Sequence, residues 1–339
     1  MTTLLEVENL TVSLPTPGGY RNAVDGLSLS VAPGEVIGIA GESGSGKTMT
    51  ALSLFGLLPH GARVTGKARL DGTDLLALRG RALRDMRGRQ VAMVSQDPSA
   101  ALHPILTIGT QLTEHMRHHL GISKAEALTR AAGLLETVRI PDPERALRSY
   151  PGQFSGGMRQ RIAIAIALAA EPRLLVADEP TTALDVTVQA GILRLLHRLC
   201  AERDMAVIVI THDLGVMSAL ARRVYVMYAG RLAEAGLTGT LLTRPRHPYT
   251  RGLLDALPHP EAGRAPLVPI GGTPPSLGAV PDGCPFHPRC AHAVPACATA
   301  RPDPVPTPGE ASSPGPDGDA AARHLLACPP DPLREVVVS

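Results

Sequence analysis

The sequence predicts an α/β fold with a mixed sheet core, because short apolar runs alternate with stretches of helical periodicity. Residues 36–40, 174–178 and 206–211 are runs of five or six mostly apolar residues, which is typical of buried strands. Helical periodicity follows the first two of these runs. The first run also leads directly into a glycine-rich loop, and ligands of α/β folds bind where strands end. These observations predict a ligand-binding α/β protein.

The glycine-rich loop, GESGSGKT at residues 41–48, matches the phosphate-binding pattern G-x-x-x-x-G-K-[ST] at every fixed position. Its glycines allow successive backbone N–H groups to face one anion, and the following helix adds its partial positive charge. Lys47 is expected to bind the β- and γ-phosphates of a nucleotide, and Thr48 to ligate Mg²⁺. The predicted nucleotide-binding residues of the loop are Gly41, Glu42, Ser43, Gly44, Ser45, Gly46, Lys47 and Thr48.

The composition narrows the classes of function. The chain has 339 residues, enough for one large domain and an appendage. Its net charge of +2 gives no argument for a nucleic-acid partner. The N-terminus lacks a basic region followed by an apolar one, and no apolar run reaches the ~18 residues of a membrane span. We therefore expect a cytosolic protein whose membrane role depends on a partner.

An antiparallel β subdomain is expected before the loop. Leu4–Val12 and Leu27–Val31 are apolar runs separated by turn signals. Tyr20 lies between them and is a candidate to stack on an adenine ring; a tyrosine in a surface turn is an equally good interpretation.

Polar residues follow three of the predicted strands. Gln96 comes after the run 90–95, Asp178 and Glu179 end the run that begins at Leu174, and His212 follows residues 206–211. The carboxyl ends of sheet strands face the ligand crevice. Asp178 therefore suits Mg²⁺ binding, Glu179 suits activation of a water molecule, and His212 is expected to contact the γ-phosphate.

A helical subdomain is predicted over about residues 99–172. Near its end, Ser155-Gly156-Gly157 precedes a run in which isoleucines alternate as they would in a strand. The intervening alanines and the length favour a helix capped by Ser155. The amides of Gly156 and Gly157 would then form a second anion site.

In this order, the motifs resemble those of ATP-binding-cassette (ABC) ATPases over about residues 4–260. The matching residues are the phosphate loop, Gln96 of the Q-loop, the signature 155–157, the Asp178-Glu179 pair, Asp185 of the D-loop and His212 of the switch. Longer stretches, SQDPSAALHPILTIG at 95–109 and HPYTRGLL at 247–254 among them, are similar to the oligopeptide/dipeptide (and nickel) importer subgroup. The resemblance implies a P-loop NTPase cassette at 1–245 and a C-terminal extension at 246–339.

The resemblance also implies an ATPase that works in pairs. One chain carries a single phosphate loop, so Ser155, Gly156 and Gly157 would close on a nucleotide held by another cassette. The implied partners are a second, non-identical ABC ATPase, two transmembrane permease subunits and an extracytoplasmic peptide-binding protein, at the cytoplasmic face of the inner membrane. The implied catalytic residues are Lys47, Gln96, Glu179 and His212; the nucleotide contacts include Tyr20 and Asp185; the Mg²⁺ ligands are Thr48, Gln96 and Asp178.

The C-terminal extension is rich in proline and cysteine: 21 of the 32 prolines lie from Pro245 onward, together with four of the five cysteines. Four thiolates fit either Zn²⁺ or an iron–sulfur cluster. Structural zinc favours pairs separated by about two to four residues, which are absent here, so the spacing favours a [4Fe–4S] cluster. Zn²⁺ and unligated thiols remain alternatives. The predicted ligands are Cys284, Cys290, Cys297 and Cys328.

Three functions remain. The first is an ATP-hydrolysing subunit that energises import of di- or oligopeptides. The second is the ATPase of a nickel or other small-solute importer. The third, a soluble ABC protein acting on DNA or ribosomes, would need a long coiled-coil insertion between the phosphate loop and the signature, or a tandem second cassette. Only 108 positions separate Lys47 from Ser155, which leaves room for a small helical subdomain.

Overall fold

The computed structural model describes residues 3–180, 186–257, 268–307, 324–328 and 331–333, with the backbone alone at 99, 100, 186 and 187. The strands are β1 (Leu5–Thr16), β2 (Gly19–Val31), β3 (Val36–Ala40), β4 (Arg63–Leu70), β5 (Thr73–Asp74), β6 (Val91–Val94), β7 (Leu174–Asp178), β8 (Ala206–Thr211), β9 (Arg223–Tyr228), β10 (Arg231–Leu237), β11 (Val305–Pro306) and β12 (Leu325–Leu326).

The α-helices are α1 (Lys47–Leu54), α2 (Gly80–Arg89), α3 (Pro98–Ala101), α4 (Ile108–Leu120), α5 (Lys124–Thr137), α6 (Pro143–Arg148), α7 (Gly156–Leu168), α8 (Val186–Arg203), α9 (Leu214–Leu220), α10 (Thr238–Thr243) and α11 (Pro248–Asp255). The chain divides into two compact units. The first comprises Met1–Ala32, Ile37–Leu76 and Thr211–Ser339, and the second comprises Pro33–Val36 and Ala77–Ile210.

The first unit contains the predicted antiparallel β subdomain, in the strand order β2-β1-β4-β5. Buried side chains alternate along β1 as its apolar pattern requires, and an irregularity between Val7 and Leu10 resets the alternation. The first unit also contains strands of a mixed sheet. β3 pairs parallel with β9, while β10 is antiparallel to both β9 and β12. The predicted mixed sheet is confirmed by these pairs.

The C-terminal extension packs into the core of the first unit. Phe286, from the extension, makes ring contacts with Tyr228 and Tyr249, with ring centroids 5.2 and 5.3 Å apart respectively. All three rings are buried. A short strand, β12, adds Leu325 and Leu326 to the edge of β10.

The second unit contains β6, β7 and β8, which pair in parallel. Every residue of β7 and β8 is buried, as expected for parallel strands that are covered on both faces. Helices α2 to α8 belong to this unit. Pro141 lies between α5 and α6, and a second proline, Pro143, is the first residue of α6.

Capping residues set the starts of the helices. At the start of α4, the Thr107 hydroxyl accepts a hydrogen bond from the amide three residues later. The Ser123 hydroxyl does the same at the start of α5. Cys200, on α8, is 3% exposed, and burial raises the pKa of its thiol to about 11. It is therefore a core residue of the second unit. No helix in the described part of the chain has both the length and the apolar character that crossing a membrane requires.

Candidate functional site

The phosphate loop lies between β3 and α1, as the sequence predicts. Gly41, Gly44 and Gly46 all have positive φ values, of 145°, 79° and 101°. A Cβ at Gly41 would lie 2.2 Å from the Met227 carbonyl oxygen, so close packing also requires glycine there. Ser45 is buried, whereas Ser43, Gly44 and Thr48 are exposed at the curve of the loop. Ser43, Gly44 and Thr48 are therefore accessible to an anion that approaches the loop.

Lys47 is directed into this curve. Its Nζ donates to the carbonyl oxygens of Gly41, at 2.7 Å, and Glu42, at 2.8 Å. The side chain is 6% exposed, so its charge is held beside the loop by backbone oxygens. This position suits the predicted contact with phosphate oxygens.

The second unit brings Gln96 and Glu179 together. Gln96 Nε2 donates to Glu179 Oε2 at 2.9 Å. Glu179 directly follows β7, and its N–H donates to the Ile210 carbonyl at 2.8 Å. Its φ of +47° lies in the left-handed region, an uncommon backbone conformation for a non-glycine residue that is often found at functional sites. Asp178, the last residue of β7, is buried.

The signature residues begin α7, and this confirms the predicted helix. Ser155 Oγ accepts from the Met158 amide at 3.3 Å. Gly156 is exposed, with no atom within 4 Å of where a Cβ would be, whereas a Cβ at Gly157 would lie 2.8 Å from Val188 Cγ1. Gly157 therefore allows α7 to pack closely on α8, and Gly156 leaves the amide end of α7 open.

His212 and Asp213 follow β8. Asp213 caps α9 by accepting from the amides of Gly215, at 2.8 Å, and Val216. His212 is exposed at the end of the strand. Asp185 lies outside the residues that the structure describes.

Tyr20 lies on β2 and is 39% exposed. The Arg63 guanidinium lies 3.7 Å from the centre of its ring, a cation–π contact, and its hydroxyl donates to the Gly61 carbonyl. Arg63 therefore covers one face of the ring. A polar cavity of about 440 Å³ adjoins Tyr20, with Arg231 and Arg301 in its lining.

Two residues of the C-terminal extension contact the phosphate loop, and sequence reasoning did not assign either of them to the site. The Glu42 amide donates to the hydroxyl of Tyr249 at 2.7 Å, and Arg289 forms an ion pair with the Glu42 carboxylate. Burial raises the pKa of Tyr249, so the hydroxyl is neutral when it accepts the hydrogen bond from the Glu42 amide. The contacts join residues more than 200 positions apart, and no local pattern signals them.

The four cysteines of the extension lie near one another. The Cys284 amide donates to the Cys297 carbonyl at 2.8 Å. Burial raises the pKa of the Cys328 thiol to about 12, and nearby Cys284, Cys290 and Cys297 raise it further. Within the described residues, however, no three His, Cys, Asp or Glu side chains are grouped closely enough to hold one metal ion. The structure therefore does not support the predicted metal site.

Comparison with known proteins gives the family. Residues 24–182 match the family described as ABC transporter, and residues 233–297 match the oligopeptide/dipeptide transporter C-terminal region. The oligopeptide transport ATP-binding protein OppD of Salmonella typhimurium is 47% identical over 312 residues, covering 92% of this chain and 91% of that protein. The chain belongs to the ABC transporter family of ATP-binding proteins.

Another relative and a solved structure support the same family assignment. The dipeptide transport ATP-binding protein DppD of Bacillus subtilis is 48% identical over 299 residues, covering 88% of this chain and 89% of that protein. The ATP-binding cassette MJ0796, solved as a dimer in a post-hydrolysis state with ADP and Pi, is 28% identical with a TM-score of 0.62, covering 69% of this chain and 98% of that one. As an ABC ATPase, this protein hydrolyses ATP with Mg²⁺ as its metal ion.

Proposed function

We propose that this ABC ATPase energises the import of oligopeptides or dipeptides through a membrane transporter. The match of residues 233–297 to the C-terminal region of oligopeptide/dipeptide transporters supports the peptide class. OppD and DppD, the relatives described above, are named for oligopeptide and dipeptide transport. The catalytic part of the proposal is carried by the Gln96–Glu179 hydrogen bond at the end of β7.

In the proposed site, Glu179 accepts a proton from the attacking water, and Gln96 fixes the orientation of the Glu179 carboxylate. Lys47 and His212 stabilise charge on the transferring phosphoryl group. Asp178 and Thr48, with Gln96, supply the oxygen ligands that Mg²⁺ prefers. Mg²⁺, when bound, neutralises charge on the β- and γ-phosphates.

The site is completed by a second cassette in this proposal. Ser155 and the amide end of α7 would bind the γ-phosphate of a nucleotide held by the partner, with Asp185 at the same interface. The open space around Gly156 supports such an approach. The cavity beside Tyr20 is proposed to receive the adenine, on the ring face that Arg63 does not cover.

Replacing Glu179 by Gln tests the catalytic assignment. We expect ATP hydrolysis to fall at least about a hundredfold, the lower part of the range for a general base, while ATP binding is kept. Glu171→Gln is a matched control, because Glu171 is also a glutamate with positive φ, of 55°, and forms only a surface ion pair with Arg130. Hydrolysis by Glu179→Gln at the rate of the control would remove Glu179 from this role.

The cargo is tested by uptake. A strain that lacks this gene is supplied with a labelled dipeptide, a labelled tetrapeptide and radioactive nickel in separate assays. Loss of peptide uptake that a plasmid copy restores supports the proposal. Loss of nickel uptake with normal peptide uptake would establish the alternative, a nickel importer.

The partners and the location follow from the same proposal. We propose a peripheral protein on the cytoplasmic face of the inner membrane, bound to two permease subunits. A second, paralogous ATPase and an extracytoplasmic peptide-binding protein complete the transporter. Affinity purification from membranes in mild detergent, followed by mass spectrometry, identifies the copurifying chains. If this chain is the only ATPase recovered, the ATPase pair is a homodimer and the proposed heterodimer is wrong.

We further propose that Cys284, Cys290, Cys297 and Cys328 hold a [4Fe–4S] cluster, with Zn²⁺ as the alternative. The proximity of these residues supports the proposal: the Cys284 amide donates to the Cys297 carbonyl at 2.8 Å, and, besides burial, Cys284, Cys290 and Cys297 all raise the pKa of the Cys328 thiol. All-cysteine ligand sets suit both groups. Iron, sulfide and zinc analysis of protein purified without oxygen distinguishes them. Zinc without iron would exclude the cluster.

A further inference from the structure

The phosphate loop contains an ion pair that its sequence pattern does not explain. Glu42, at a variable position of the pattern, receives both terminal nitrogens of Arg289: Nη1 lies 2.7 Å from Oε2, and Nη2 lies 3.0 Å from Oε1. This parallel pair of hydrogen bonds is the strongest geometry that arginine and a carboxylate form. The Arg289 side chain is 5% exposed and that of Glu42 is 26% exposed.

Arg289 is held in place by the extension and by β9. Its Nε donates to the Gly271 carbonyl at 2.8 Å, and Nη1 also reaches the Tyr228 hydroxyl at 3.2 Å. Its amide donates to the Phe286 carbonyl at 3.0 Å within the 3₁₀ turn His287–Arg289. The guanidinium is therefore fixed before it meets the loop, so little side-chain freedom is lost when the pair forms.

Glu42 is held at three points. Arg289 binds its carboxylate, the Tyr249 hydroxyl accepts from its amide, and Lys47 donates to its carbonyl oxygen. Lys47 is the residue proposed to bind the phosphates. Glu42 thus links the charge that faces the nucleotide to an arginine supplied by the C-terminal extension.

The charge of Glu42 makes this link consequential. ATP brings several negative charges to the loop, and an unpaired carboxylate in the same loop would repel them. The half-buried position of Glu42 limits screening of that repulsion by solvent. Pairing with Arg289 neutralises the carboxylate.

We infer that Arg289 is a positioning residue of the ATP site, which neutralises Glu42 and holds the phosphate loop in its nucleotide-binding form. The inference rests on the proposed assignment of residues 41–48 as the ATP-binding loop. It adds a residue of the C-terminal extension to the determinants of ATP affinity.

The test measures ATP dissociation constants by calorimetry with the full chain, in the Glu179→Gln background that keeps ATP intact. Arg289→Ala should raise the dissociation constant about tenfold, equivalent to about 1.4 kcal/mol, which is close to the lower end of the range for a hydrogen bond to a charged group. Adding Glu42→Gln to Arg289→Ala removes the unpaired charge and should restore the constant to within about threefold of the parent, since most of the loss is charge repulsion. Steady-state assays with Glu179 intact should show the effect in KM more than in kcat.

Controls separate the possible failures. Arg251→Ala removes an ion pair with Asp255 of similar length, 2.8 Å, that does not touch the loop, and it should leave ATP affinity unchanged. Lys47→Ala should abolish ATP binding. Retained binding in Lys47→Ala would overturn the proposed ATP site itself, whereas loss there with unchanged affinity in Arg289→Ala overturns only the role of Arg289.

Two further outcomes decide the inference. If the double variant binds ATP as weakly as Arg289→Ala, the loss does not come from the charge of Glu42 and the inference is wrong. If Arg289→Ala does not fold, Arg289→Gln replaces it, since glutamine keeps a donor for the carbonyl of Gly271 without the charge. The same tenfold loss and the same recovery with Glu42→Gln are then required.

Discussion

Acidification should destabilise the first unit through His247. This histidine is fully buried and caps α11, with its ring Nδ1 accepting from the Tyr249 amide at 3.1 Å. A protonated ring cannot accept that bond. Burial lowers its pKa from 6.5 to about 4, and the nearby Glu234 carboxylate opposes this only in part. The folded protein therefore holds this ring neutral at a pH where the unfolded chain protonates it.

The sign and size follow from linkage. Between pH 6.5 and pH 4 the unfolded chain binds more protons at this group than the folded protein, so the free energy of unfolding decreases as the pH falls through this window. The decrease is about 2 kcal/mol at pH 5 and about 3 kcal/mol at pH 4 for a pKa shift of this size. Below pH 4 both states are protonated, and the contribution stops changing.

His247→Asn is the matched variant, because its side-chain oxygen caps the helix as Nδ1 does and does not titrate. Urea unfolding is followed by circular dichroism at pH 7 and pH 5 for both proteins. Other titrating groups are common to both, so the difference between the proteins isolates His247. The stability of the parent relative to the variant should fall by about 2 kcal/mol between the two pH values. An unchanged difference would refute the reasoning.

Three further changes test the site and its supports. Gly41→Ala should weaken ATP binding at least about tenfold, because its Cβ would lie 2.2 Å from the Met227 carbonyl and real contacts never come so close; normal affinity by calorimetry would contradict this. Tyr249→Phe leaves the partly buried Glu42 amide without its acceptor and should cost about 1 kcal/mol, the lower end of the cost of an unsatisfied donor, seen as a lower melting temperature, while Tyr150→Phe, at a residue 47% exposed, should melt like the parent. Ser155→Ala and Thr107→Ala each remove a helix cap and should cost about 1 kcal/mol, but only Ser155→Ala should slow ATP hydrolysis; equal rates would exclude Ser155 from the site.

The sequence predicts local features well because neighbouring residues determine them. The phosphate loop, the strand before it and the helix after it occur where the pattern places them. At α7, the alanines and the Ser155 cap outweigh the alternating isoleucines, and the segment is helical. These choices depend on hydrogen bonds within a few residues of one another.

Features that depend on distant pairing are not predictable in the same way. β1 extends to Thr16, beyond the apolar run that ends at Val12. The backbone of residues 13–16 is held by hydrogen bonds to β2, and not by burial of apolar side chains. The left-handed backbone of Glu179 has no signature in the residues around it. Arg289 is one of many arginines until the fold places it against Glu42, 247 positions away.

The extension illustrates the same limit. Proline-rich segments are often linkers, yet Phe286 of this one is buried among aromatic rings of the first unit. Few local hydrogen bonds are needed when a segment is anchored by side chains. The composition of the extension therefore indicates an irregular backbone, but it does not reveal which residues its side chains pack against.

The buried carboxylate of Glu234 sets the order in which this protein can mature on the ribosome. It accepts from the amides of Arg246, at 2.8 Å, and His247, at 3.1 Å, and it lies 2.6 Å from the ring nitrogen of His324. His324 lies 90 positions beyond Glu234 in the chain. Until His324 has been synthesised, this carboxylate lacks one of its partners and the first unit cannot complete its packing, whereas the second unit ends at residue 210 and can fold earlier.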